Sequence, residues 1–94
     1  MINKAYVGDI GTMLEIDMDE DISSATMYKY LVKKPDDLEV EWTVSKLNAT
    51  TFRHVTINGD FSVPGAYYIQ PYATIGDWTG VGDTVILNVY PRYG

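Results

Sequence analysis

Val63-Pro64-Gly65-Ala66-Tyr67-Tyr68-Ile69-Gln70-Pro71-Tyr72-Ala73-Thr74 is the stretch whose reading decides the fold. The Pro-Gly pair makes a turn, because proline presets φ and glycine tolerates the left-handed region, and the residues after it read as a β-strand. Side chains alternate faces along a strand. Tyr67, Ile69, Pro71 and Ala73 therefore point one way, and Ala66, Tyr68, Gln70, Tyr72 and Thr74 the other. The first set suits a core, and the second leaves rings exposed.

Toward the C-terminus, Gly76-Asp77-Trp78-Thr79-Gly80-Val81-Gly82-Asp83 holds three glycines and reads as a hairpin loop with Trp78 folded over the end of the domain. The last strand is Thr84 to Tyr90, with Val85, Leu87 and Val89 inward, and Pro91 stops its ladder because it lacks an amide hydrogen. Toward the N-terminus, Asn58-Gly59-Asp60 is a turn and Phe61 can plug the core. Thr51 to Thr56 is a strand with Phe52, His54 and Thr56 on one side and Arg53 and Val55 on the other. Ser45 to Ala49 reads as a loop. Leu38 to Val44 alternates with Val40, Trp42 and Val44 inward, after a Lys34-Pro35-Asp36-Asp37 turn. From Thr26 to Lys33, Tyr28, Tyr30 and Val32 face inward, whereas Ala25 and Met27 fit the opposite phase, which predicts a bulge near Met27. Thr12 to Met18 puts Leu14, Ile16 and Met18 opposite Met13, Glu15 and Asp17. Lys4 to Val7 is a short first strand at an edge.

Ninety-four residues make one domain, residues 1–94, which must bury an adequate core without disulfides because cysteine is absent. The same absence removes thiolate metal sites and a cysteine nucleophile. Seven basic against thirteen acidic residues give a net charge of -6, which disfavours nucleic acid and anionic membrane as partners. The N-terminus has no apolar run of signal-peptide length and no segment reaches the ~20 apolar residues of a membrane span, so the expectation is a soluble chain made without a cleaved leader.

Seven short strands, turn signals between them and no helical period predict an all-β domain, an immunoglobulin-like antiparallel β-sandwich of about seven strands. A small open barrel of the oligonucleotide-binding kind is the competing fold, but it usually carries a basic stacking face. Gly65, Tyr67 and Ile69 are spaced as in the tyrosine corner of such sandwiches, and Trp42 falls near the position of their central tryptophan. Trp42, Tyr67, Ile69, Leu87 and Val89 are expected in one core, with the Tyr67 hydroxyl bonded to backbone.

Asp21-Ile22-Ser23-Ser24-Ala25-Thr26, then Val32-Lys33-Lys34-Pro35-Asp36, then Asn58-Gly59-Asp60-Phe61 to Pro64-Gly65-Ala66-Tyr67, and finally Val85 to Tyr90 occur in that order. Together they resemble the immunoglobulin-like domains of tailed-phage virion proteins, such as the N-terminal domain of the lactococcal phage upper baseplate protein. Two features depart from that pattern: Asp37 stands where a glycine commonly follows Pro-Asp, and family members often continue into a receptor-binding, fibre or coiled-coil part where this sequence ends at Gly94. The resemblance implies a non-enzymatic structural piece of a bacteriophage virion, a capsid decoration, connector or baseplate component. It would be made in the host cytoplasm, be present in several copies and contact other virion proteins.

Candidate chemistry is sparse. His54 is the single histidine and no motif supplies it with a serine or cysteine partner, so a packed or surface role is expected. Asp19-Glu20-Asp21 and Asp36-Asp37 lack the spacing and central glycine of a calcium loop and read as solvated turns. Lys29, Lys33 and Lys34 read as a small solvated stripe guarding an edge. Asn48-Ala49-Thr50 fits the glycosylation pattern, without a secretory leader to give it meaning. No cofactor signature is present. If Tyr67 and Val89 face the core, Tyr68, Tyr72, Ile86 and Tyr90 share the opposite face and form one ring-rich patch, the expected protein-contact surface. The rival function is a carbohydrate-binding adhesion module that stacks sugars on Tyr72, Trp78 and Tyr93.

Overall fold

The computed structural model describes residues 4–93, and within them the chain is all-β. Nine strands are present among these residues: β1 (Ala5–Tyr6), β2 (Met13–Asp17), β3 (Met27–Lys33), β4 (Glu39–Thr43), β5 (Ser45–Lys46), β6 (Thr51–Val55), β7 (Gly65–Ile75), β8 (Trp78–Val81) and β9 (Val85–Tyr90). They form two sheets in a sandwich-like arrangement. The larger runs β1-β9-β7-β3-β4, with β8 also on β7, and the smaller runs β2-β6-β5. All pairings are antiparallel except that of β1 with β9, which is parallel.

β7 is the longest strand and the middle of the larger sheet, as its alternation predicts. Tyr67, Ile69, Pro71 and Ala73 are buried, and Tyr68 on the opposite face is exposed. The core joins these residues to Tyr30 and Val32 of β3, Trp42 of β4, Phe52 of β6 and Val89 of β9, with Ile22 and Phe61 closing it from the loops. Tyr30 spans the two sheets. Its hydroxyl lies 2.9 Å from the Phe52 carbonyl and 3.1 Å from that of Leu14, so the phenol fixes β3 against β6 and β2. The Tyr67 hydroxyl donates to the Val63 carbonyl at 2.6 Å and accepts from the Val63 N–H at 3.2 Å, tying the start of β7 to the turn before it. Burial pushes both phenols above the ordinary tyrosine range, and hydrogen bonds from backbone offset it in part.

Several expectations change. The Ser45 to Ala49 loop contains β5, which pairs with Phe52 and Arg53. The Gly76 to Asp83 loop is largely β8, a continuation of β7 through a tight Gly76-Asp77 turn. No bulge exists at Met27, because β3 pairs with β7 in unbroken register from Met27 to Lys33. Ala25 instead lies in a turn closed by its N–H to the Ile22 carbonyl. The bulge is elsewhere. Ile69 faces Val85 and Tyr72 faces Val81, so Gln70 and Pro71 oppose three residues, Gly82, Asp83 and Thr84. Pro71 has no N–H to give to a central ladder, and the interruption falls beside it, where its carbonyl still accepts from Gly82 at 2.9 Å. Leu38 is outside β4 and 54% exposed. Val85 points inward but stays 40% exposed, because the three strands of the smaller sheet do not cover the six of the larger, and Leu87 is half-buried for the same reason.

Candidate interaction surface

Strand register decides where the four outward residues stand. Tyr68 and Ile86 are directly opposite each other on β7 and β9, and they are 45% and 59% exposed. Tyr72 lies four residues beyond Tyr68 on β7, and Tyr90 four residues beyond Ile86 on β9. Because the strands are antiparallel, these steps lead in opposite directions, and about 26 Å of strand separates Tyr72 from Tyr90. The four share one face, as expected, but they form a stripe and not a compact patch. Local partners shield its ends. The Lys29 ammonium sits 5.0 Å from the Tyr72 ring centre while pairing with Glu41 at 2.9 Å, and Lys4 sits 4.9 Å from the Tyr90 ring, which also packs on Tyr6. The middle of the stripe, Tyr68 with Ile86, is the open apolar part.

Beside Tyr68 the outer face is hollowed into a shallow depression of about 430 Å³, lined by Leu31, Lys33, Glu39, Glu41, Gln70 and Thr84. Its rim is charged with both signs.

The three rings of the carbohydrate reading do not converge. Tyr72 is on the outer face of the sheet, whereas Trp78 pairs with Ile75 and is on the other face of the ribbon. The Trp78 ring lies over Gly80, where an added Cβ would come within 2.7 Å of it, and the indole is 46% exposed on the ribbon and not folded over the sandwich end. Tyr93 follows β9 at the opposite end of β7 from Trp78, roughly 33 Å away by strand length, and is fully exposed.

His54 is buried and both ring nitrogens are occupied. Nδ1 is 2.6 Å from the Thr43 carbonyl, which only accepts, so Nδ1 carries a proton there. Nε2 is 2.7 Å from Asp60 Oδ2, and that oxygen also accepts the Ile57 N–H at 2.9 Å. The ring stacks on Trp42 with centroids 4.7 Å apart. These contacts tie β6, β4 and the Ile57 to Asp60 turn together, and they leave the imidazole no free nitrogen for chemistry.

Lys34 departs from its expected place in a solvated stripe. It is 6% exposed, and its ammonium donates to the Gly59 carbonyl and the Ser62 hydroxyl, both at 3.0 Å. Lys33 stays exposed, and Lys29 is engaged as described. The acidic turns use their carboxylates internally: Asp17 accepts from the Asp19 N–H, and Asp21 from the N–H and hydroxyl of Ser23, which hold the Asp21 carboxyl below the usual range. Asn48 likewise caps its own turn by accepting from the Thr50 and Thr51 N–H groups. No cluster of three or more metal-ligating side chains occurs among the described residues, and no helix there is long and apolar enough to cross a membrane. No protein family, curated protein or solved structure matches the chain.

Proposed function

We propose that the chain is an immunoglobulin-like structural module of a tailed-phage virion, with no catalytic role, that docks on other virion proteins through the outer face of its larger sheet. The observation that carries the docking part is the exposed Tyr68–Ile86 pair above a charge-rimmed depression, an apolar centre with a polar rim. The immunoglobulin-like part is supported by strand order. β2-β6-β5 stands against β9-β7-β3-β4 as strands B, E and D stand against G, F, C and C′ in such sandwiches, and the Tyr67 hydroxyl reaches backbone a few residues upstream as a tyrosine corner does. The virion assignment rests on the sequence resemblance. The adhesion reading lacks comparable support, since Tyr72, Trp78 and Tyr93 stand apart. The test is a Tyr68→Ser/Tyr72→Ser double variant, checked for folding by circular dichroism and then for incorporation into assembled particles. Incorporation should fall at least about tenfold, the effect of losing ~1.4 kcal/mol of binding. Undiminished incorporation by a folded variant refutes the assignment.

A further inference from the structure

The turn after β6 holds the only Asn-Gly pair in the chain, Asn58-Gly59. A hydrogen bond from the Asp60 N–H to the Ile57 carbonyl, 3.1 Å long, closes the turn. Its flanks are held as well: the Ile57 N–H donates to Asp60 Oδ2 at 2.9 Å, His54 Nε2 lies 2.7 Å from the same oxygen, and the Lys34 ammonium donates to the Gly59 carbonyl at 3.0 Å. The peptide unit between Asn58 and Gly59 is different. Among the described residues neither its carbonyl nor its N–H has a hydrogen-bond partner, and the Asn58 side chain has none either. Both residues are exposed. Nothing stands within 4 Å of the place a Cβ on Gly59 would take, so no other group crowds this residue.

We propose that Asn58 is a site of spontaneous covalent modification, at which the Gly59 backbone nitrogen attacks the Asn58 side-chain amide. The nitrogen loses its proton and bonds to the amide carbon, the amide nitrogen leaves as ammonia, and a succinimide results. Water then opens the ring at either carbonyl and leaves aspartate or isoaspartate at position 58. Water is the only co-reactant. Attack requires the Asn58–Gly59 peptide unit to rotate, and this is the unit that no hydrogen bond holds. Glycine eases the rotation: φ at Gly59 is 92°, and without a Cβ the residue crosses between positive and negative φ at little cost. The Lys34 ammonium on the Gly59 carbonyl adds a positive field that favours the deprotonated nitrogen. The other described asparagines lack these conditions. Asn48 precedes alanine, and its side-chain oxygen is held by the Thr50 and Thr51 N–H groups. Asn88 lies within β9 opposite Ala66 and precedes the stiff, β-branched Val89. The two products differ in their effect on the fold. Aspartate adds one negative charge to the -6 of the chain and keeps the backbone as it was. Isoaspartate also inserts a methylene into the main chain, inside the turn that sets Asp60 against His54, and so loosens the tie of that turn to β6 and β4. Asn58 lies outside the Tyr68–Ile86 stripe, so conversion leaves that surface intact.

The test holds the purified chain in mildly alkaline buffer, folded and in concentrated urea, and follows each asparagine by peptide mapping with mass spectrometry. The folded chain should convert Asn58 at a rate within about tenfold of the unfolded chain, while Asn48 and Asn88 keep their amides. Gly59→Ala should slow the conversion at least about tenfold. A folded chain that keeps the Asn58 amide while the unfolded chain loses it, or one that converts Asn48 or Asn88 as fast as Asn58, overturns the proposal. The comparison of folded with unfolded chain needs no variant, so a misfolded Gly59→Ala leaves the test intact. The isoaspartyl fraction, separated by chromatography, should unfold at a lower urea concentration than the unmodified chain, and equal midpoints overturn the loosening of the turn.

Discussion

Replacing His54 by phenylalanine probes the most demanding arrangement in the interior. The ring stack on Trp42 survives the change, whereas two hydrogen bonds disappear. Asp60, 8% exposed, then keeps the Ile57 N–H but loses its nearest side-chain partner at 2.7 Å, and the Thr43 carbonyl loses a donor at 2.6 Å. Leaving one member of a buried pair without the other costs about 3 to 5 kcal/mol. A domain of this length holds only ~5 to 14 kcal/mol in total. At a urea slope of ~1.5 kcal/mol per molar, a loss of 3 kcal/mol lowers the unfolding midpoint by roughly 2 M. The double variant His54→Phe/Asp60→Asn removes the stranded charge and keeps an acceptor for Ile57, so its loss should fall short of the sum of the single losses by ~1 to 3 kcal/mol. Urea titration followed by tryptophan fluorescence reads all three midpoints. A single-variant loss below about 1 kcal/mol, or strict additivity in the cycle, would refute the idea that the pair holds β4, β6 and the following turn together.

Two other outcomes follow from geometry. Gly65→Ala should destabilise by about 1 to 3 kcal/mol, measurable as a lowered urea midpoint, because φ at Gly65 is 129° and an added Cβ would lie 2.8 Å from Pro35; an unchanged midpoint contradicts the turn geometry. Alkali should unfold the protein. Burial raises the Tyr30 and Tyr67 phenols above 10.0 in the fold, so their contribution is complete below the unfolded value and is lost as pH climbs through the folded ones. Phenolate absorbance should show its final step coincide with loss of the strand circular dichroism signal, and the step should shrink in Tyr30→Phe.

Alternation was the legible part. Leu14 and Ile16, Tyr28 to Val32, Phe52 to Thr56 and the odd residues of β7 all face as the two-residue period requires, because burial on one face imposes that period. Short strands escaped for the converse reason: Ser45–Lys46 is too brief to display a period, and Trp78–Val81 contains a glycine that mimics a loop. The change of phase at Met27 predicts a bulge there, but it marks the boundary of β3 with a turn. The true bulge shows only when β8 and β9 are counted against β7. The burial of Lys34 depends on acceptors 25 and 28 residues away, and the role of Asp60 depends on how the turn after β6 closes, so neither is a local property of the chain. Of the outward stripe, the shared face was legible, and the spacing of its members required the register.

The parallel pairing of β1 with β9 has a bearing on how the protein is made. β9 leaves the ribosome almost a full chain length after β1, and β3 waits for β7 in the same way, so the larger sheet cannot assemble progressively during synthesis. β3 and β4 can pair as a hairpin when they emerge, but β7 and β9, which join them to β1, come only with the C-terminal third. Closure of such distant pairs is slow, and refolding in milliseconds to seconds is the expected regime. During that interval the apolar segments Leu14–Ile16 and Tyr28–Val32 lack their covering strands, and the acidic residues between them, Asp17, Asp19, Glu20 and Asp21, supply the repulsion that keeps unfinished chains from one another.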